Sequence, residues 1–273
     1  MELFNYSHQT LQEKVIDKKG WGSYLIADNF LGNSLFNLLT SDLNDMKKAK
    51  KDIFSGEENV RAWDKNMPKG KHHIIGGAGS DINKFNKLFS HSEIWKNFTT
   101  VMMNDQNCYK YFHRIFQKSE AYNSYVSKSD ILDGYASCKL SCQYNNYADI
   151  IHPDNTRKVL SFLIYLDNKD WNENSKGGTD FWSVEDEDVA YDKSEDSLAS
   201  QMRIGKNSDR PHSISTAECE KIKKFQSIAF KPNRLVAFVK TDTSYHSIPP
   251  RILPAGISRD CFQVNIWNFN RTI

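Results

Sequence analysis

No run in the chain approaches the ~20 apolar residues that cross a bilayer as a helix. The first residues, MELFNYSHQTLQEK, lack the basic-then-apolar order of a secretory signal. Cysteine is sparse: there are five, an odd number with no framework spacing. Disulfides are therefore not expected to hold the fold, and a reduced, cytoplasmic setting is the expectation. An excess of charge of one sign is missing too. The 36 basic side chains against 34 acidic ones leave a net +2. No electrostatic case for nucleic acid or an anionic membrane surface follows from that balance. There is no internal repeat and no clean linker, so the 273 residues read as one structural unit.

What is present is concentrated between His152 and Trp182, HPDNTRKVLSFLIYLDNKDWNENSKGGTDFW. Side chains at i and i+2 of a strand share a face, so His152 and Asp154 can reach one metal ion while Pro153 points away. Proline cannot donate to a ladder, which puts the pair at a strand end or edge. Two imidazoles and a carboxylate on one side of a metal leave open positions, the ligand set of non-haem Fe(II) oxygenases. His91 and Glu93 form a comparable pair within FSHSEIWKNF. That segment reads as a helix through Ile94, Phe98 and Val101. Residues two apart on a helix diverge by about 200°, so this pair cannot share an ion. His72 and His73 read as incidental loop residues. Cys138 and Cys142 read as two small buried side chains on one strand face.

The pattern along the chain is mixed at first and then dominated by strands. A strand and turn over 20–31 lead to a helix over about 34–48, with Leu35, Leu39, Leu43 and Met46 as its buried stripe. Residues 50–80 read as loop and 81–103 as a second helical stretch. YKYFHRIF (109–116) and SCKLSCQY (137–144) alternate as strands. Short strands follow at 150–154, 159–166, 178–183, 225–231, 234–240, 244–248 and 259–268. Many short strands with turn signals predict a sandwich or barrel. A double-sheet jelly roll of the cupin type, the double-stranded β-helix, fits the count. The fold class is therefore mainly β with supporting helices. Residues 1–124 form a helical and mixed support region, and 125–273 form the core. Residues 184–224, acidic then basic, interrupt the core as an insert, either a solvated loop or a lid over the barrel mouth.

The last strand, RDCFQVNIWN, carries its own pattern. Arg259, Cys261, Gln263, Asn265 and Trp267 share one face. Phe262, Val264 and Ile266, after Asp260, share the other. The apolar face would pack on the helices and the polar face would line a pocket. Arginine offers a planar fork for a carboxylate there. A surface arginine in an ordinary ion pair is the competing reading.

These residues resemble the iron(II)- and 2-oxoglutarate-dependent dioxygenases, in particular the prolyl-hydroxylase-like branch. The likeness rests on His152 and Asp154, the strand ending Tyr165-Leu166-Asp167, Trp171, Gly177-Gly178, His246, and Arg259 opening the last strand. It covers about half the chain, roughly 125–270. The resemblance implies that His152, Asp154 and His246 hold Fe(II). His212, in the insert, is the competing third ligand. It implies that Arg259 and Tyr165 bind the distal carboxylate of 2-oxoglutarate, with Arg251 a weaker candidate. The implied reaction consumes O2 and 2-oxoglutarate, releases succinate and CO2, and hydroxylates a small-molecule or peptide substrate, with ascorbate as a possible reductant. A peptidyl proline, an amino acid, a sugar and another metabolite all stay open as substrate. The rival class is a non-catalytic cupin-like module that binds metal or sugar.

Overall fold

The computed structural model describes residues 3–49, 71–75, 92–144, 149–154, 157–166, 178–184, 222–249, 257–268 and residue 270. Two antiparallel sheets lie face to face. The larger contains β1 (Ile16–Lys18), β2 (Gly22–Ala27), β3 (Lys71–Ile75), β4 (Tyr135–Tyr144), β6 (Lys158–Tyr165), β9 (Leu235–Val239) and β11 (Ser258–Trp267), in the order β1-β2-β9-β6-β11-β4-β3. The smaller contains β5 (Asp149–His152), β7 (Thr179–Val184), β8 (Ile222–Ile228) and β10 (Tyr245–Ile248), in the order β5-β10-β7-β8.

The large sheet is covered on both sides. Helices α1 (His8–Gln12), α2 (Asn33–Ala49), α3 (Glu93–Asn104), α4 (Gln106–Phe116), α5 (Glu120–Tyr125) and α6 (Lys128–Leu132) supply the outer layer. Leu39, Trp95 and Phe112 from the helices join Phe162, Ile164, Phe262 and Val264 from the sheet in one apolar cluster. The inner faces meet in a second cluster, where Tyr24, Leu163, Tyr165 and Phe238 pack with Phe181 and Ile228. Every residue of β6 is consequently buried. This is why VLSFLIYL is almost continuously apolar: it has no solvent face to carry polar side chains. Its lone serine, Ser161, points inward.

Trp21 ties the sheets together. It is 1% exposed, packs at 4.4 Å in a tilted arrangement against Phe181, and donates its indole N–H to the Tyr245 carbonyl at 3.0 Å. On the outer side, Asp260 is fully buried and pairs with Lys47 of α2, which also reaches the Ser258 hydroxyl at 2.8 Å. A buried carboxylate needs such a partner, and this pair pins α2 to β11.

Several expectations are corrected. Residues 109–116 are not a strand but lie within the helix α4. Asp105 caps it, its carboxylate accepting from the Asn107 and Cys108 amides at 2.6 and 3.3 Å. Tyr109, Phe112, His113 and Phe116 then fall on one buried face at helical spacing. His72 and His73 lie in β3, paired with β4 at the edge of the large sheet, and not in a loop. Strand β8 begins at Ile222, so residues 222–224 are strand and the expected insert is three residues shorter at that end. The strand expected over 150–154 ends at His152, so Asp154 lies two residues beyond β5, at the expected strand end but not within the strand. The body of the insert, with His212, and Arg251, Trp171, Asp167 and Gly177 lie outside the described residues.

The alternation expected of β4 and β11 is observed. Cys138, Leu140 and Cys142 of β4 pack outward, as do Phe262, Val264 and Ile266 of β11. The cysteines are unpaired and buried. Burial raises both thiols well above the usual range, which suits small core residues and not metal ligands. Among the described residues no helix is long and apolar enough to cross a membrane.

Candidate metal centre

The inward grid of the large sheet can be read from its register. Across β4, β11 and β6, Ser141, Cys261 and Tyr165 form one row, Lys139, Gln263 and Leu163 the next, and Ser137, Asn265 and Ser161 the third. Arg259 and Gln143 face each other one row before these. On the opposing sheet, His246 of β10 lies directly across from His152 of β5. The strand pairing itself brings together two imidazoles that are far apart in sequence.

His152, Asp154 and His246 each offer a ligand atom, and these atoms lie within 4.8 Å of one another. The two imidazole centroids are 4.6 Å apart, and His246 packs at 4.8 Å against Phe238. His246 Nδ1 sits 3.0 Å from the Ser244 carbonyl. A carbonyl only accepts, so Nδ1 carries the proton and Nε2 presents its lone pair. That lone pair is directed to the carboxylate side, with Nε2 3.9 Å from Asp154 Oδ1. Burial, opposed by the Asp154 charge, pushes the His246 imidazolium down to about 4. A neutral imidazole oriented by a backbone carbonyl is the ligand form a metal requires.

Asp154 is held from two sides. Ser161 donates to Oδ2 at 2.7 Å and Lys158 to Oδ1 at 2.6 Å. Burial alone would raise this carboxyl; the Lys158 ammonium and the two imidazoles outweigh it and hold Asp154 well below the usual carboxylate range. The donor set therefore fits a divalent ion of the two-histidine, one-carboxylate type, with Ser161 orienting the carboxylate from behind. Lys158, whose ammonium lies 5.3 Å from the Trp267 ring centre, shares the same oxygen edge.

The cavity beside the triad encloses about 100 Å³ and reaches Thr179 and Arg259. Arg259 is 1% exposed. One guanidinium nitrogen donates to Gln143 Oε1 at 2.8 Å and another approaches the Gly178 carbonyl at 3.5 Å. The guanidinium lies 4.8 Å from the centre of the Tyr165 ring, which is stacked on Phe230. Tyr165 shares a 2.7 Å hydrogen bond with Thr179. Of the residues singled out in sequence, His152, Asp154, His246 and Arg259 thus line one cavity, and Tyr165 lies against the Arg259 guanidinium. Ser161, Lys158, Gln143 and Thr179 join them unforeseen. Ser161 carried a legible signal, as the one polar residue inside an apolar strand. Gln143 and Thr179 did not, since their places depend on cross-strand and cross-sheet partners.

No known protein-family signature matches the sequence, and no curated protein matches it. Solved structures similar to this chain include a prolyl-4-hydroxylase of Pseudomonas putida, at 13% identity and TM-score 0.48, covering 95% of this chain and 99% of that one. Another is an oxidoreductase of the 2OG-Fe(II) oxygenase family from Burkholderia pseudomallei, at 7% identity and TM-score 0.43, covering 98% and 93%. A third is HygX from Streptomyces hygroscopicus, solved with nickel and 2-oxoglutarate bound, at 9% identity and TM-score 0.44, covering 97% and 87%.

Proposed function

We propose that this protein is an iron(II)- and 2-oxoglutarate-dependent dioxygenase that hydroxylates a small-molecule or peptide substrate. Its two sheets are then read as the double-stranded β-helix of that class. The observation that carries the reading is the joint occurrence, on one cavity, of the His152–Asp154–His246 cluster and a buried arginine. A metal-binding module needs the first. It has no use for Arg259, a buried cation on the lining of the same cavity.

In this reading His152, Asp154 and His246 hold Fe(II). Bound iron and 2-oxoglutarate supply the oxidative chemistry, turning O2 and the cosubstrate into succinate, CO2 and a substrate hydroxyl group. The chain does the rest. Ser161 fixes the carboxylate ligand, and the Ser244 carbonyl fixes the His246 tautomer. Arg259, braced by Gln143 and stacked on Tyr165, receives the distal carboxylate of the cosubstrate through its fork. The Tyr165 hydroxyl, which bonds to Thr179 in the free protein, takes part beside the guanidinium. Phe238, Leu163 and Phe181 keep the inner wall dry, which strengthens each of these charge contacts. A cytoplasmic location belongs to the same proposal, resting on the cysteine usage.

The test is succinate release from 2-oxoglutarate by the purified chain with ferrous iron, O2 and ascorbate. Slow turnover without added substrate is expected, and its loss in His246→Ala. Iron bound without any succinate would favour the non-catalytic module.

A further inference from the structure

The triad and the arginine anchor leave one stretch of cavity wall unaccounted for. It is built by Lys139 of β4 with Gln263 and Asn265 of β11. Lys139 and Gln263 are cross-strand partners, and Asn265 is the next inward residue along β11. All three line the cavity that holds the metal cluster.

Asn265 is the telling member. It is 4% exposed, and its Oδ1 is buried without a hydrogen-bond partner. Its register partners are committed elsewhere. Ser161 donates to Asp154 at 2.7 Å, and Ser137 accepts the Trp267 indole N–H at 2.8 Å. A buried amide oxygen left unsatisfied destabilises the fold, and such atoms are few in native proteins. Asn265 itself lines the cavity, and this oxygen is an acceptor in want of a donor. Lys139 adds a positive charge one row away, and Gln263 lies between them with both amide functions.

We propose that this wall binds the prime substrate and that the substrate is a free amino acid. Its α-carboxylate meets Lys139, and its α-ammonium donates to Asn265 Oδ1 and Gln263. The side chain is then left to face the metal centre. The inference rests on the dioxygenase reading above and narrows its substrate.

The full chain, loaded with ferrous iron and 2-oxoglutarate, is offered each of the twenty free amino acids and the matching N-acetyl amides. At least one free amino acid should raise succinate release above its own uncoupled rate and gain the mass of one oxygen; its blocked amide should do neither. Lys139→Met should raise the KM for that amino acid about ten- to hundredfold, the size expected for a lost charged hydrogen bond. Asn265→Leu should raise the same KM while the melting temperature holds or climbs by a few degrees, because the orphaned oxygen is gone. Calorimetric titration of that amino acid into the metal-free chain should show binding heat that Lys139→Met abolishes.

Stimulation by blocked peptides or neutral sugars, with free amino acids inert, overturns the assignment. So does a KM effect of Lys139→Met on 2-oxoglutarate in place of the amino acid, or a melting point lowered by Asn265→Leu with KM unchanged. In each of these outcomes uncoupled succinate release persists and the dioxygenase reading stands. Absence of all succinate removes both.

Discussion

Arg259 is sealed between Gln143, Tyr165 and Phe230, so its charge is worth most to an anion that reaches it. A hydrogen bond to a charged group contributes roughly 1.5–3 kcal/mol, and each 1.4 kcal/mol is about tenfold in affinity. Arg259→Ala should therefore weaken 2-oxoglutarate by about ten- to several-hundredfold while iron binding is retained. Arg259→Lys should recover part of the loss, since charge returns without the fork. Equilibrium titration of the cosubstrate reads both. Ser161 acts one step further back. Partners that orient a ligating carboxylate are typically worth about ten- to a hundredfold in metal affinity, so Ser161→Ala should weaken iron by that factor, measured by competition with a chelating dye. The His-x-Asp pair and the arginine were legible through their order along the chain, with His246 between them and Arg259 opening the last strand, and not from either alone. Lys158 was not, because its importance depends on its ammonium meeting the Asp154 carboxylate, a contact between a strand residue and one outside any strand that no periodicity reports.

At the level of elements, the strands were the more legible part. Alternation in β4 and β11 separated helix-facing from cavity-facing residues correctly, since each has two unlike faces. The segment 109–116 misled for a simple reason. In YKYFHRIF, aromatic residues at both i+2 and i+3 spacings satisfy strand and helix patterns alike. The Asp105 cap and the helical spacing of Tyr109, Phe112 and Phe116 resolve it in favour of the helix. Asp105→Ala should cost about 1 kcal/mol of stability in urea denaturation. Gly178 marks a tighter constraint. A Cβ there would lie 1.4 Å from the Ile228 carbonyl oxygen, where β7 meets β8. Gly178→Ala should destabilise by about 3 kcal/mol, the upper end for overpacking. It should also weaken 2-oxoglutarate, because the Gly178 carbonyl that Arg259 approaches would shift. A variant as stable as the parent would show that the β7–β8 junction yields freely.

Over the whole molecule, the helical layer contributes a pH dependence separate from the cavity. His113 of α4 is 5% exposed, its Nδ1 bonded to the Tyr122 hydroxyl at 2.7 Å. Burial, partly opposed by Asp130, pushes its imidazolium down to about 4. The unfolded chain protonates histidine near pH ~6.5. Between these values the unfolded state binds more protons, so stability is full above about 6.5 and falls as the pH drops towards 4. The loss is roughly 3 kcal/mol at the lower end. Urea midpoints at pH 7.5 and 4.5 should differ accordingly, and His113→Gln should flatten the difference.

The central claim for the molecule is that His152, Asp154 and His246 hold iron in reach of a cosubstrate anchored by Arg259. It is tested most directly by titrating 2-oxoglutarate into the anaerobic ferrous protein and following the visible metal-to-ligand absorption band. The band should appear and saturate in the parent chain, be absent in His246→Ala, and require a much higher 2-oxoglutarate concentration in Arg259→Ala. A ferrous protein that binds its iron through these three residues yet never develops the band would contradict the account.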